Sequence, residues 1–287
     1  MLTLLFDGIA YGMLLFVLAV GLAVTLGLMN FINLAHGAFA MAGGYITVLL
    51  MNRLGVPFLA CLPLAFLGAA LLGAVLEPTL YRRMYNKPHL DQVLFSIGLV
   101  FMAVAGVDYV VGPSQQSIQL PDWLRGRFDI EWVGIGKYRL FIIVVCAALT
   151  LVLQWVLSRT RFGSQLRASV DDPRVAGGLG LNVNRIFLLT FAVGSGLAGL
   201  GGALGAEVLG LDPGFPLKFM IYFLIVCAVG GTTTITGPLL AALLLGIADV
   251  AGKYYVPKLG AFIVYTLMIV ILMLRPQGLF ARAGGGK

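Results

Sequence analysis

Asn30, Asn33 and His36 recur every third position inside a 45-residue stretch, 8–52, that holds no charged residue. On a helix that spacing gathers three hydrogen-bonding side chains on one face. They can meet a polar solute there, or tie one helix to another; a lone histidine on an apolar element is most simply explained by the second role. Gly37, Gly43 and Gly44 follow, and they permit a backbone to approach a ligand or, more simply, a neighbouring helix. A second polar place is Gly230-Gly231-Thr232-Thr233-Thr234-Ile235-Thr236-Gly237-Pro238, whose hydroxyls suit a small hydrogen-bonding solute. Two glutamates end stripes of small residues at spacing four. Ala65, Ala69 and Gly73 lead to Glu77; Ser195, Gly199 and Ala203 lead to Glu207, with Gly194, Ala198, Gly202 and Ala206 alongside. Small residues so spaced let helices pack closely in lipid, so both carboxylates are expected on packing faces. An acid near membrane depth is a functional candidate. Glu77, followed by Pro78, Arg82 and Arg83, reads as a structural ion pair, which leaves Glu207 and Asp249, both near the outer ends of their spans, as the pathway candidates among the acids.

Covalent chemistry has no visible apparatus. Gly136-Lys137, Gly252-Lys253 and Gly286-Lys287 lack the remainder of a phosphate-binding loop, and no HExxH, CxxC or GxSxG occurs. Cys61, Cys146 and Cys227 all lie in apolar runs, which excludes a disulfide framework or a metal set. No cofactor and no enzymatic activity are expected.

The elements that must position these residues follow from composition. Of 287 residues, 60% are hydrophobic and 11% charged, against about 25% charged in soluble domains; the mean hydropathy is +1.00. The charge-free runs are 8–52, 54–76, 92–107, 140–158, 186–206, 219–248 and 259–274. A crossing helix takes roughly 20 apolar residues, so the two longest runs hold two passes each. The expectation is an all-α polytopic membrane protein. One transmembrane domain, 1–287, would have eight or nine crossings near 8–28, 31–53, 58–80, 91–111, 140–158, 186–208, 218–231, 235–252 and 259–274. The two polar places would be broken or re-entrant segments, since irregular backbone at membrane depth needs protein or a watery cavity beside it. Paired breaks of this kind build transporter sites at the interface of inverted repeats, although the two halves here share no visible sequence similarity. Met1 to Asp7 has no basic region, so the first span reads as uncleaved.

Lys and Arg concentrate in cytoplasmic loops. The basic loops 81–91 and 158–185 and the basic tail therefore fall inside, and the mixed segment 112–139 outside. This puts the N-terminus outside, the C-terminus inside and the protein in a cell membrane. The net charge of +7 sits in these loops and reflects topology, not nucleic-acid binding. Loop 158–185 reads as two short helices broken at Pro173, with Asp172 as cap and Gly180 as terminator. Arg161, Gly163, Leu166, Arg167, Asp172, Ala176 and Gly180 belong to it. Such an element suits docking into a partner's groove, or lying on anionic lipid.

Five motifs occur in order: Asn33-Leu-Ala-His-Gly37, Arg159-Thr-Arg-Phe-Gly-Ser-Gln-Leu-Arg-Ala168, Gly178-Leu-Gly-Leu-Asn-Val183, Leu197-Ala-Gly-Leu-Gly-Gly202 and Leu274-Arg-Pro-Gln-Gly-Leu279. Together they closely resemble the permease subunit of branched-chain amino acid ABC importers, the LivH type, along nearly the whole chain. The resemblance implies an assembly in the bacterial inner membrane with a second permease subunit of the LivM type, two ATP-binding subunits and a periplasmic solute-binding protein. It implies that 159–185 holds the coupling helix entering the ATPase, marked by Ala176 and, four residues on, Gly180. The chain departs from the family pattern at Gly230 to Gly237, where family members commonly carry more glycine, and at Ala241-Ala242. The expected function is inward movement of branched-chain or related small amino acids by ATP-driven alternating access. The alternatives are a urea or short-amide importer, which Thr232 to Thr236 would suit, and an ATP-independent channel.

Overall fold

A computed structural model describes residues 1–29, 31–130, 133–231, 234–275 and 278–279. Among them, nine helices of fifteen residues or more follow the charge-free runs. They are α1 (Leu2–Met29), α2 (His36–Leu54), α3 (Phe58–Thr79), α4 (His89–Val111), α5 (Lys137–Arg159), α8 (Val183–Leu209), α9 (Phe215–Gly230), α10 (Thr236–Tyr255) and α11 (Gly260–Leu274). Two short helices, α6 (Arg161–Asp171) and α7 (Pro173–Gly178), lie between α5 and α8. A two-stranded antiparallel hairpin, β1 (Arg127–Ile130) and β2 (Val133–Gly136), precedes α5. Six of the helices are long and apolar enough to cross a membrane, and the chain is an all-α, multi-pass membrane protein. The sixteen residues of α9 extend roughly 24 Å, short of a hydrocarbon core of about 30 Å.

Boundaries follow local chemistry. The turn between α2 and α3 is sharp because Gly55 adopts φ 64°, Gly55 N–H donates to the Met51 carbonyl and Val56 N–H to the Leu50 carbonyl, and Pro57 follows. At the start, α1 runs six residues earlier than the charge-free run suggests and takes in Asp7, which pairs with Arg139 of α5.

Glycine decides how the helices pack. A methyl on Gly43 or Gly202 would overlap the backbone of Gly199 or Ala40 respectively, so α2 and α8 touch main chain to main chain. On the other side of α8, Gly199 meets Ala65 and Ala69, and Gly73 meets Ser195, which runs α3 antiparallel to α8. A second seam joins α1 to α10, where Gly8 faces Ile247, Gly12 faces Ala242 and Leu243, and Gly246 faces Gly12. Close approach of this sort replaces the hydrophobic drive that is missing between helices in lipid. Helices α1 and α8 are consequently buried along most of their length, whereas α3, α4 and α5 turn Leu67, Leu71, Phe101, Met102, Leu151 and Trp155 outward.

The molecule has two unlike ends. One carries α6 and α7, the elbow end. The other carries the β-hairpin, whose approach is fixed by Gln116 N–H donating to the Leu211 carbonyl at 2.7 Å and by the Tyr138 hydroxyl donating to the Leu204 carbonyl at 2.7 Å. The described residues of 112–139 thus form a structured cap.

Candidate translocation and coupling sites

The first break lies between α1 and α2. Asn30 lies outside the described residues. Phe31 N–H returns to the Thr25 carbonyl at 3.4 Å, closing the end of α1, and Ile32 N–H donates to Gln92 Oε1 at 3.2 Å. Asn33 is buried and accepts from the Tyr81 hydroxyl at 3.2 Å; Tyr81 stands edge-on to Phe31 and Phe95. His36 is buried with Nε2 2.8 Å from the Leu18 carbonyl. A carbonyl only accepts, so Nε2 carries the proton. Leu18 is eleven residues before the end of α1, so α2 starts deep and the chain from Phe31 to Ala35 climbs back along α1. The break folds back along α1, and its described polar side chains are bonded to protein. Gly37 abuts Pro216 at the start of α9, and Gly43 and Gly44 face α8 and Leu211.

At the second break the end of α9 lies against the start of α10. A methyl on Gly230 would meet the backbone of Gly237 and Pro238, and Gly231 adopts φ 75°. Thr234 Oγ1 accepts from the Gly237 N–H at 3.3 Å and from the Thr236 hydroxyl at 3.3 Å. Thr232 and Thr233 lie outside the described residues. Leu279 N–H donates to the Val229 carbonyl at 2.8 Å, so the chain after α11 folds back onto this corner. The two breaks share α9: the Phe223 ring stands edge-on to His36 with centroids 6.2 Å apart, and Gly230 is about 10 Å further along the helix.

Charge is handled locally. Glu77 is fully buried and is gripped by Arg82 at 2.7 Å and by the Tyr85 hydroxyl at 3.1 Å. Burial and then the neighbouring carboxylate hold the Tyr85 phenol above its ordinary range, so it remains a donor. Glu207 departs from the expected packing face. It is exposed near the last turn of α8, where it lines a cavity of about 480 Å³ with Arg125, Tyr138 and Arg139. The small-residue stripe is buried only as far as Ala206. One residue later the helix clears its neighbours, and the periodicity no longer predicts burial.

The elbow is built by two caps. Thr160 Oγ1 accepts from the Gly163 N–H at 3.4 Å and starts α6; Asp172 Oδ1 accepts from the N–H groups of Arg174 and Val175 at 2.9 and 3.0 Å and starts α7. Gly163 lies against the Leu157 backbone, Leu166 and Ala176 are buried, and Arg167 donates to the Leu157 carbonyl. Gly180, at φ 86° with open space around it, ends the pair. Val175 and Leu179 stand out at 58% and 78% exposure.

One cluster joins Asp249, a pathway candidate in the sequence, to residues that were not singled out there. Asp7 of α1, Arg139 of α5, Lys218 and Tyr222 of α9, and Asp249 and Lys253 of α10 line a second hairpin-end cavity of about 450 Å³. The signal was available: Asp7, Arg139, Lys218 and Asp249 are the charges that bound the apolar runs, and alternation places all four at one end.

The model of a family described as the branched-chain amino acid transport system permease component matches residues 4–272. The chain is 27% identical to the high-affinity branched-chain amino acid transport system permease protein BraD of Pseudomonas aeruginosa, over 97% of this chain and 95% of BraD. It is 26% identical to the permease protein LivH of Escherichia coli over 97% and 94% of the two chains. With the permease protein LivM of Escherichia coli it shares 27% identity over 93% of its own length but 68% of LivM's. No solved structure matches.

Proposed function

This chain belongs to the branched-chain amino acid permease-component family, and from that premise we propose that it is the transmembrane permease subunit of a bacterial inner-membrane ABC importer for branched-chain or related small amino acids. The observation that carries this reading is the end-to-end similarity to BraD and LivH. Its partners are a second permease subunit of the LivM type, two ATP-binding subunits and a periplasmic solute-binding protein, within membrane lipid. The elbow end, with Arg159, Arg161, Arg167, Arg174 and Arg185, faces the cytoplasm and so does the C-terminus, as the positive-inside rule requires. The hairpin end and the N-terminus face the periplasm.

In this mechanism the permease performs no covalent chemistry. Residues 159–185 form the coupling loop. Val175 and Leu179 supply the apolar knob that seats on an ATPase, and Asp172, Ala176 and Gly180 fix its shape. Force applied there reaches α5 through Gly163 and α8 through the buried face of α6. Because α8 touches α2 and α3 backbone to backbone, a shift of α8 carries both. That motion bears on the first break, where His36 ties α2 to α1, and through Phe223 on α9 and the Gly230–Gly237 corner. Asn30, Asn33, His36, Gly37, Gly43, Gly44, Gly230, Gly231, Thr232, Thr233, Thr234 and Thr236, with Glu207 at the periplasmic mouth, are assigned to the pathway and its moving joints. Reconstitution of the full assembly in vesicles tests the reading: labelled leucine should accumulate only with ATP and binding protein. Accumulation of urea instead would favour the short-amide reading; flux through the chain alone would favour a channel.

A further inference from the structure

The hairpin-end cavity holds both signs of charge above an apolar floor. Asp249 is buried, with its carboxylate 2.5 Å from Lys253 Nζ and 3.5 Å from the Tyr222 hydroxyl. In the same lining Asp7 pairs with Arg139, and Lys218, 60% exposed, pairs with Asp212. Leu14, Ile142 and Phe219 supply the apolar walls. The volume of about 450 Å³ lies in the range of roughly 300–1,000 Å³ typical of small-molecule sites.

We propose that this cup is an acceptance site for a zwitterionic α-amino acid. The ammonium meets Asp249 and Asp7, the carboxylate meets Lys253 and Lys218, and an aliphatic side chain lies on Leu14, Ile142 and Phe219. The proposal rests on the amino-acid reading above and names the headgroup chemistry of its first station. Three features carry it. The lining offers two anion–cation pairs, Asp249 with Lys253 on α10 and Asp7 of α1 with Arg139 of α5, and beside them Lys218 of α9, so a dipolar ion of no net charge can insert by exchanging partners within existing pairs. A neutral solute such as urea has no use for that arrangement. Because each acid already has a cation, no bare charge waits in the cavity, and the gain on binding is the difference between two paired states. That gives the shallow hold required of a site that must pass its ligand on. Finally, Phe219 and Tyr222 lie one and two turns into α9, and the next residue, Phe223, meets His36. The cup therefore opens onto the helix that links both breaks.

The test measures solute binding to the complete permease–ATPase complex without the solute-binding protein, by ligand-observed NMR, with three competitors: leucine, leucinamide, which lacks the carboxylate, and 4-methylpentanoate, which lacks the ammonium. The wild type should prefer leucine over both analogues. Asp249→Asn should cut the preference over 4-methylpentanoate about tenfold, an effect of about 1.4 kcal/mol, while keeping the preference over leucinamide. Lys218→Gln, a change at an exposed position that leaves the core intact, should do the converse. A purely structural role for these pairs would lower the yield of complex without altering either ratio, and unchanged ratios in both variants overturn the proposal. A weaker response of ATP hydrolysis to the binding protein, with unchanged ratios, would mark the cup as a protein-docking surface and also overturn it. Failure of the wild-type complex to take up any amino acid in vesicles would instead remove the premise.

Discussion

The two ends of this molecule treat charge in opposite ways. At the hairpin end, Asp7, Asp212 and Asp249 each hold a cation, and the pairs surround a cavity. At the elbow, among the described residues, Arg161, Arg167, Arg174 and Arg185 meet no carboxylate, and Val175 and Leu179 project into the surroundings. A cavity with its charges internally paired is suited to a small ligand that must be released. An end with free cations and an apolar knob is suited to a large partner that brings its own complementary surface. The contrast is one of neutralisation, since Glu77 shows that a buried charge near the elbow end is paired as strictly as any.

That contrast can be sharpened by substitution, beginning with the largest expected effect. Arg82→Gln removes the cation from the fully buried Glu77 carboxylate and should destabilise the chain by about 3–5 kcal/mol, read as loss of thermal stability in detergent. Gly163→Val forces a side chain into the Leu157 backbone. Overpacking of this kind costs about 1–3 kcal/mol; the variant should insert normally yet lose much of its ATP-driven uptake because α6 is displaced from α5. Asp7→Asn opens a half-exposed pair with Arg139; such pairs contribute about 0.2–1 kcal/mol, so thermal stability should barely move. A large loss from Asp7→Asn, or none from Arg82→Gln, would break the distinction between the ends.

Much of this was legible from the residues. The run boundaries gave the helices to within a few positions, because in lipid the absence of charge is nearly the whole signal. Asp172 and Gly180 marked the elbow's turns because caps and left-handed glycines act locally. Depth was not legible. Nothing in Asn33-Leu-Ala-His36 says that α2 begins eleven residues back along α1; that follows from the His36–Leu18 bond, a contact between distant positions. Nor did the stripe ending at Glu207 reveal that packing stops at Ala206, since the spacing of small residues does not say how long the neighbouring helix is. The charged cup was legible only at Asp249, because its members come from four helices.

The central claim is that nucleotide-driven force enters through the elbow, and the most direct measurement is leucine uptake by the reconstituted assembly carrying Val175→Asp and Leu179→Asp together. The two carboxylates remove the apolar knob without touching the membrane helices. The account predicts that ATP-driven accumulation is abolished while the complex still inserts and still binds leucine; accumulation at the wild-type rate would contradict it.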